Sequence, residues 1–305
     1  MEIAFIGAGR VGATLSRAMH LAGLDVVAVF SRNKPRAEVV AGQVPGAFAA
    51  CTAQEAADAA DLVFLTVPDD AIETTCAGVV WRAGQSVVHC SGATDPSALH
   101  RASHAGALVG ALHPLQMFAN PSVALETLPG CAVTIDAEPP LDQRLESICR
   151  RLRCRPVRLA PGQRALYHAS AYYVGPFLIA LLQEAVQIWR NLGVSERDAL
   201  AALVPLLQGT VAAVTDGGLA QGMGGCVARG DVGTVEKHLD ALEPFSPEMA
   251  ALYRRLALLT IPLGLSRGTL SPEAAARIRA VLEAPKELAA DAGGLSQPRQ
   301  PGPRD

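Results

Sequence analysis

Along the first half of the chain, short β-branched apolar runs alternate with longer alanine-rich stretches. The runs Ile3–Gly7, Val26–Ser31, Leu62–Val67, Ser86–Cys90 and Ala107–Leu112 are apolar at nearly every position rather than at every second one. Continuous strands of this kind suit a parallel sheet covered on both faces. Between them lie stretches of helical length: Val11–Ala22, Pro35–Ala41, Ala53–Ala59, Ala71–Val80 and Pro96–His104. A weaker unit follows, with a strand over Ala132–Ile135, a helix over Leu141–Leu152 and a strand over Val157–Leu159. The pattern predicts an α/β fold, a Rossmann-like doubly wound parallel sheet over residues 1–160.

Beyond residue 160 the strand pattern stops and a helical period takes over, in segments 163–192, 196–216, 232–242, 246–262 and 272–283. These predict an all-α domain over residues 161–290. The tail, residues 291–305, contains "GGLSQPRQPGPRD", whose Pro, Gly and polar content predicts disorder.

Composition narrows the functional class. The formal charge is -3 at pH 7, and the basic residues are scattered, which argues against a nucleic-acid partner. The opening "MEIAFIGAG" enters a strand with no basic segment before it, unlike a signal peptide. Apolar runs such as Ala171–Leu182 are broken by Gly175-Pro176 and fall short of the roughly 20 residues of a membrane span, so no membrane association is expected. Seven cysteines without a CxxC pair suit reduced thiols in a cytoplasmic protein better than a disulfide framework or a metal site.

Chemistry enters at "IAFIGAGRVG". Gly7, Gly9 and Gly12 form a GxGxxG, with Ala8, Arg10 and Val11 between them, directly after a strand and opening a helix. Gly7 permits the tight turn, Gly9 lets backbone approach a pyrophosphate, and Gly12 lets helix and strand pack closely. NAD-binding folds of this kind end the second strand in Asp or Glu. Here Ser31 and Arg32 stand there, followed by Lys34 and Arg36. A hydroxyl and a guanidinium fork suit a 2′-phosphate, so NADP(H) is the expected cofactor; the alternative is a solvated basic turn.

Two further strand ends fall at the carboxyl edge, where ligands of open sheets bind. Val67-Pro68 ends one, with Asp69 and Asp70 expected to cap the next helix. Ser91-Gly92 ends another, small enough to admit a nicotinamide ribose, although either end could be a purely structural turn.

For proton handling the candidates are His168, Tyr172 one helical turn on, and His113 in "ALHPLQMF" after a strand end. Tyr167 and Tyr173 flank that face. Tyr173 and Arg229 are the candidate substrate contacts, Arg229 for a carboxylate. Packing roles for the tyrosines, and core or turn roles for His168 and His113, stay open. Asp231 is expected to cap the helix 232–242, and His238 within it reads as structural. The glycine-rich "DGGLAQGMGG" reads as a lid or as a flexible interhelical loop.

With its Gly-rich start, "TVPDDAI", "CSGAT", "GALHPLQMF", "LYHASAYY" and "CVARGDVGTVEKHL", the chain resembles a bacterial family. Its members pair a Rossmann-like NADP-binding domain with a helical C-terminal domain of unassigned function. The family is similar to deazaflavin-dependent NADP reductase, and more remotely to pyrroline-5-carboxylate reductase and the 6-phosphogluconate-dehydrogenase-like group. The resemblance covers residues 1 to about 285. It implies a helical domain that dimerises, a site in the cleft between domains, and hydride transfer between nicotinamide and a small carbonyl, imine or redox-cofactor substrate.

The chain departs from the family at Arg164, where a lysine is usual, at Pro176, and at Gly224–Cys226. Its only lysines are Lys34, Lys237 and Lys286, so a lysine-dependent hydroxyacid dehydrogenase or ketopantoate reductase is disfavoured. The same departures leave open an NADP(H)-binding sensor or regulatory dimer without catalysis.

Overall fold

The computed structural model describes residues 1–160 and 162–284; the tail over 291–305 lies outside the described residues. The chain divides into two compact units, Met1–Ala180 and a second beginning at Leu181.

The first unit opens β1 (Glu2–Ile6), α1 (Arg10–Leu21), β2 (Asp25–Phe30), α2 (Lys34–Gly42), β3 (Phe48–Ala49), α3 (Ala53–Asp58) and β4 (Leu62–Leu65). A single 3-10 turn, Asp69–Ala71, leads into α4 (Ile72–Ala77) and β5 (Ser86–His89). After another, Pro96–Leu99, come α5 (His100–His104), β6 (Leu108–Pro114), α6 (Pro121–Thr127), β7 (Ala132–Ala137), α7 (Leu141–Arg151), β8 (Arg155–Arg158) and α8 (Arg164–Val174).

One eight-stranded sheet runs β3-β2-β1-β4-β5-β6-β7-β8. All pairings are parallel except β6 with β7, where Leu112 faces Ile135 in antiparallel register. The doubly wound sheet expected from the apolar runs is therefore present, with one reversal and with two short elements, β3 and α6, that carry too few residues to show a period. The reversal has a simple cause. The connection from β6 to β7, carrying α6, returns the chain from the edge at which β6 ends, so β7 starts at that same edge.

The core explains the continuous hydrophobicity. One layer packs Phe5, Leu15, Met19, Phe64 and Leu145 on one face of the sheet, and a second packs Ile6, Val63, Leu65, Ile72 and Trp81 on the other. Both faces are covered, so successive residues of β1 and β4 are buried whichever way they point. Leu15 and Met19, four apart on α1, are fully buried and each contributes about 2 kcal/mol of transfer energy.

The C-terminal helices are α9 (Pro176–Asn191), α10 (Glu196–Gly222), α11 (Gly225–Ala228), α12 (Val232–Phe245), α13 (Pro247–Arg267) and α14 (Pro272–Glu283). The core of the second unit gathers Val235, Leu239, Ile261, Ile278 and Leu282. Asp231 caps α12 as expected, its carboxylate accepting the Thr234 amide at 3.1 Å.

Two local expectations change. Asp69 and Asp70 do not cap the turn they open; Asp69 instead accepts a hydrogen bond from Ser91 Oγ at 2.8 Å. The "DGGLAQG" segment belongs to the helical stretch α10, which kinks at Gly218 with φ 74°, a conformation glycine reaches without a Cβ penalty. The stretches Arg164–Asn191 and Glu196–Gly222 each contain an 18-residue window, of mean hydropathy 1.3 and 1.5, long and apolar enough to cross a membrane by length and composition.

Candidate cofactor cradle and active site

The glycine fingerprint forms a cradle at the carboxyl end of β1. Gly7 has φ 123°, and its amide donates to the Phe30 carbonyl at 2.8 Å, tying the turn to β2. A Cβ at Gly7 would lie 2.6 Å from the Thr66 carbonyl carbon, and one at Gly12 would run into the Gly7 carbonyl oxygen and, at 2.6 Å, Thr66 Oγ1. Thr66 Oγ1 donates to that same carbonyl at 2.7 Å, so strand, turn and helix are locked at van der Waals distance. Gly9, whose would-be Cβ is free of close contact, is exposed and starts α1 without a side-chain cap. The first amides of a twelve-residue helix are left facing outward beside it. This is the chemistry of an anion site: free N–H groups, a positive helix end, and backbone that a phosphate can reach.

A cavity of about 530 Å³ adjoins it, lined by Ala8, Gly9, Arg10, Ala13, Pro35, Arg36, Val39, Val40 and Pro121. Its apolar wall and two guanidinium groups fit the adenosine and phosphate end of a dinucleotide. Ser31 and Arg32 follow β2 as expected, but the Ser31 hydroxyl accepts the Asn33 amide at 3.2 Å, and Arg32 is exposed and does not line the cavity. Arg36 does line it. Asn33 explains why, because its side chain accepts the Arg36 amide at 3.2 Å, caps α2 and starts the helix that presents Arg36. Val11 is half-buried on α1, while Val67, half-buried, and Pro68, exposed, follow β4.

A second constellation stands where β5 and β6 end. The Ser91 hydroxyl is engaged in building its loop: it donates to Asp69, lies 2.9 Å from Thr94 Oγ1 and accepts the Thr94 amide at 3.0 Å. Arg164 at the start of α8 is 1% exposed and clamps this loop from the other side. Its Nη2 donates to the Ser91 carbonyl, its Nε donates to the Thr94 carbonyl at 2.9 Å, and its Nη1 lies 3.8 Å from Asp136. The position where relatives of this chain are expected to carry lysine thus holds a buried structural arginine.

Arg164 fixes the rest of α8 against the sheet edge. Tyr167 OH and His113 Nδ1 are 3.0 Å apart. His113 stacks edge-on to His168 with ring centroids 5.4 Å apart, and His168 to Tyr172 at 5.7 Å. Tyr172 and Tyr173, both exposed, reach Phe177 at 5.7 and 5.5 Å. Gly92 is the point of convergence. A Cβ there would strike His168 Nδ1 and lie 2.9 Å from His113 Nε2. Among the described residues His168 Nδ1 is buried against Gly92 without a hydrogen-bond partner.

Burial, then the neighbouring His168 and Arg164, pull the His113 pKa down to about 4. His89 on β5 is likewise lowered to about 4, by burial and then Arg164. Burial raises the Tyr167 phenol. At neutral pH this is a neutral imidazole beside a neutral phenol: if Tyr167 donates to Nδ1, His113 carries its proton on Nε2, toward Gly92.

The structure therefore brings His113, His168 and Tyr172 together near Ser91 and Gly92. Tyr167 and Arg164, the closest supports of that cluster, stand out in sequence only as aromatic and basic positions on one helix. Their partners lie 54 residues away for Tyr167 and 73 and 70 residues away for Arg164, beyond any local signal. Arg229 lies in the second unit, exposed, at the C-cap of α11. Also in that unit, His238 Nδ1 and Tyr253 OH are 2.9 Å apart.

Comparison with known proteins agrees with this architecture. Residues 2–92 match the family model described as NADP oxidoreductase, coenzyme F420-dependent, and residues 131–260 match a domain of unknown function, DUF2520. The first match spans β1 to the end of β5 and the second runs from β7 into α13, so an NADP oxidoreductase domain model is followed along the chain by one of unassigned function. No curated protein sequence compared with it matches significantly. Among solved structures, a Thermotoga maritima protein superposes with a TM-score of 0.69 at 21% identity, over 87% of this chain and 99% of that one. A reductive aminase from Aspergillus terreus, solved with NADPH and ethyl-5-oxohexanoate, gives 0.57 at 20% identity over 92% of each chain. A pyrroline-5-carboxylate reductase from Coxiella burnetii gives 0.57 at 15% identity, over 88% of this chain and 98% of that one. At these identities the likeness is one of fold.

Proposed function

We propose that the protein is an NADP(H)-dependent reductase that transfers hydride between the nicotinamide and a small carbonyl, imine or redox-cofactor substrate. The observation that carries this reading is the convergence of His113 Nε2 and His168 Nδ1 on Gly92, at the carboxyl edge that also holds the glycine cradle.

The fit of the cofactor rests on the chain's own atoms. Gly7 and Gly12 admit no Cβ, the first amides of α1 are free for the pyrophosphate, and Arg36 and Arg10 line the adjoining cavity for phosphate oxygens. When bound, the nicotinamide supplies the hydride chemistry. Gly92 lets the His113 and His168 rings approach the strand end closely, where any side chain would displace them. His113, neutral and held by Tyr167, donates from Nε2 to the developing negative charge on a carbonyl oxygen, or positions an imine nitrogen that already carries its proton. His168 offers a second ring nitrogen at the same point, and Tyr172 and Tyr173 supply the exposed aromatic wall against which an apolar substrate packs. The likeness to a reductive aminase and a pyrroline-5-carboxylate reductase favours an imine among these substrates.

The functional unit is a cytoplasmic homodimer formed through the helical domain. Support comes from exposed apolar side chains on α9 and α10, among them Phe177, Ile179, Leu206 and Val211. Glu184, Gln187 and Asp216 on the same helices suit a protein partner better than lipid.

The experiment is NADPH oxidation against a panel of keto acids, cyclic imines and an oxidised deazaflavin, with NADPH affinity measured in parallel. Turnover on one class supports the reading. Tight NADPH binding with no turnover on any of them, together with a nucleotide-dependent change in oligomeric state, would replace it with a sensor.

A further inference from the structure

The seven cysteines look unpatterned in sequence, yet two of them meet across the sheet. Cys131 immediately precedes β7 and Cys154 immediately precedes β8, and the register of these parallel strands begins Ala132 with Arg155. One step earlier the ladder continues: the Gly130 amide donates to Arg153 O at 2.8 Å, and the Arg155 amide donates to Cys131 O at 2.9 Å. Cys131 and Cys154 are therefore direct neighbours on adjacent strands, about 4.8 Å apart between Cα atoms. That spacing falls within the range of roughly 4.4–6.8 Å that a disulfide spans. Their sulfurs are already 3.8 Å apart, Cys131 donating to Cys154.

We propose that Cys131 and Cys154 are a reversible thiol–disulfide site, oxidised by low-molecular-weight disulfides of the glutathione type. The two sulfurs differ in access and in charge, as a thiol pair of this kind needs. Cys131 is half-exposed and Cys154 is buried. The hydrogen bond from Cys131 lowers the Cys154 thiol from its ordinary value, while the same bond and burial raise Cys131, so Cys154 is the readier of the two to ionise.

The steps balance as follows. Cys131, the accessible thiol, gives its proton to solvent and attacks one sulfur of the external disulfide, releasing one external thiolate. That thiolate takes up a proton, and Cys154 gives up its own to solvent. The Cys154 thiolate then attacks the Cys131 sulfur, closes the internal disulfide and releases the second external thiolate. The two cysteines lose two electrons, and the external disulfide gains them.

Nearby geometry limits the alternatives. Cys149 is fully buried in α7 and burial pushes its thiol up to about 12, so it is a poor competitor. Cys51 is exposed and distant in sequence, with no cysteine partner among the described residues, and serves as an internal control for simple mixed-disulfide formation. The site stands at the active edge of the sheet, since the Ala132 carbonyl beside Cys131 accepts the Leu115 amide at 2.8 Å, two residues beyond His113.

The test is incubation of the folded protein with glutathione disulfide, alkylation of the remaining thiols, and peptide mass mapping. The expected product is a crosslinked Cys131–Cys154 peptide lacking two hydrogens, reversed by a dithiol reductant. Cys154→Ser should halt the reaction as a glutathione adduct on Cys131, and Cys149→Ser should leave the crosslink unchanged. Full alkylation of Cys131 in the wild-type protein after incubation, or a crosslink from Cys131 to Cys149, would overturn the assignment even if a variant failed to fold.

Discussion

Tyr167 and His113 sit 3.0 Å apart across 54 residues of sequence, joining the first turn of α8 to the end of β6. Burial keeps both groups neutral, so the pair orients a proton rather than storing charge. Tyr167→Phe is expected to leave NADPH affinity unchanged and to lower kcat by about 10- to 100-fold, the lower part of what a positioned proton donor supplies. His113→Ala should cost more than Tyr167→Phe, and the double variant should cost little beyond His113→Ala. Steady-state kinetics of the four proteins on the substrate found in the panel would check this, additive losses contradicting a joint action.

Gly92 answers to sterics. Alanine there would drive a methyl into His168 Nδ1 and to 2.9 Å from His113 Nε2, so both rings would have to shift. Gly92→Ala should destabilise the protein by about 1–3 kcal/mol and abolish turnover. Denaturant unfolding together with activity distinguishes this from a purely structural turn, for which activity would survive in the folded fraction.

Cofactor choice is expected to turn on Arg36, which lines the cavity beside the glycine cradle. Replacing it with alanine should weaken NADPH binding by about 10- to 100-fold, as expected for one charge-assisted contact, while NADH binding stays within about 3-fold. Arg32→Ala, exposed and off the cavity, should have the smaller effect. Fluorescence titration with both nucleotides reads this directly; equal loss for NADH and NADPH would remove Arg36 from 2′-phosphate recognition.

Arg164 should behave as a clamp. Arg164→Met leaves the Ser91 and Thr94 carbonyls without their donor and is expected to cost about 3 kcal/mol in unfolding free energy. Arg164→Lys should recover only part, because an ammonium cannot reproduce the fork that reaches both carbonyls.

Stability should fall on mild acidification. His89 and His113 have folded values near 4 against an ordinary 6.5. Below pH 6.5 the unfolded chain takes up protons that the folded chain refuses, so stability present at neutral pH is lost as pH falls from about 6.5 toward 4 and levels off below that. For His89, which is fully buried, the loss is on the order of 3 kcal/mol. Thermal melts between pH 7.5 and 4.5, about the range in which histidine titrates, compared with His89→Gln should show a weaker pH dependence in the variant.

The sequence by itself determined the layered α/β half, because strands buried on both faces must be apolar at consecutive positions. It also determined the glycine cradle, because a GxGxxG between a strand and a helix marks a turn with no room for side chains, although the atoms that fill that room belong to Thr66, after β4, as well as to Gly7. It also marked His113, His168 and Tyr172 as chemically interesting, through residue type and helical spacing. It did not show that β7 runs antiparallel to β6, since strand direction leaves no trace in an apolar run. Only the tertiary structure decided which groups meet. Arg36 rather than Arg32 lines the cavity because Asn33 caps α2 and sets the helix phase. Arg164 is a buried clamp, Tyr167 is the partner of His113, and Cys131 faces Cys154, because each contact joins positions 23 to 73 residues apart. Contacts at that separation are set by how strands register and helices dock, which no local pattern of residues encodes.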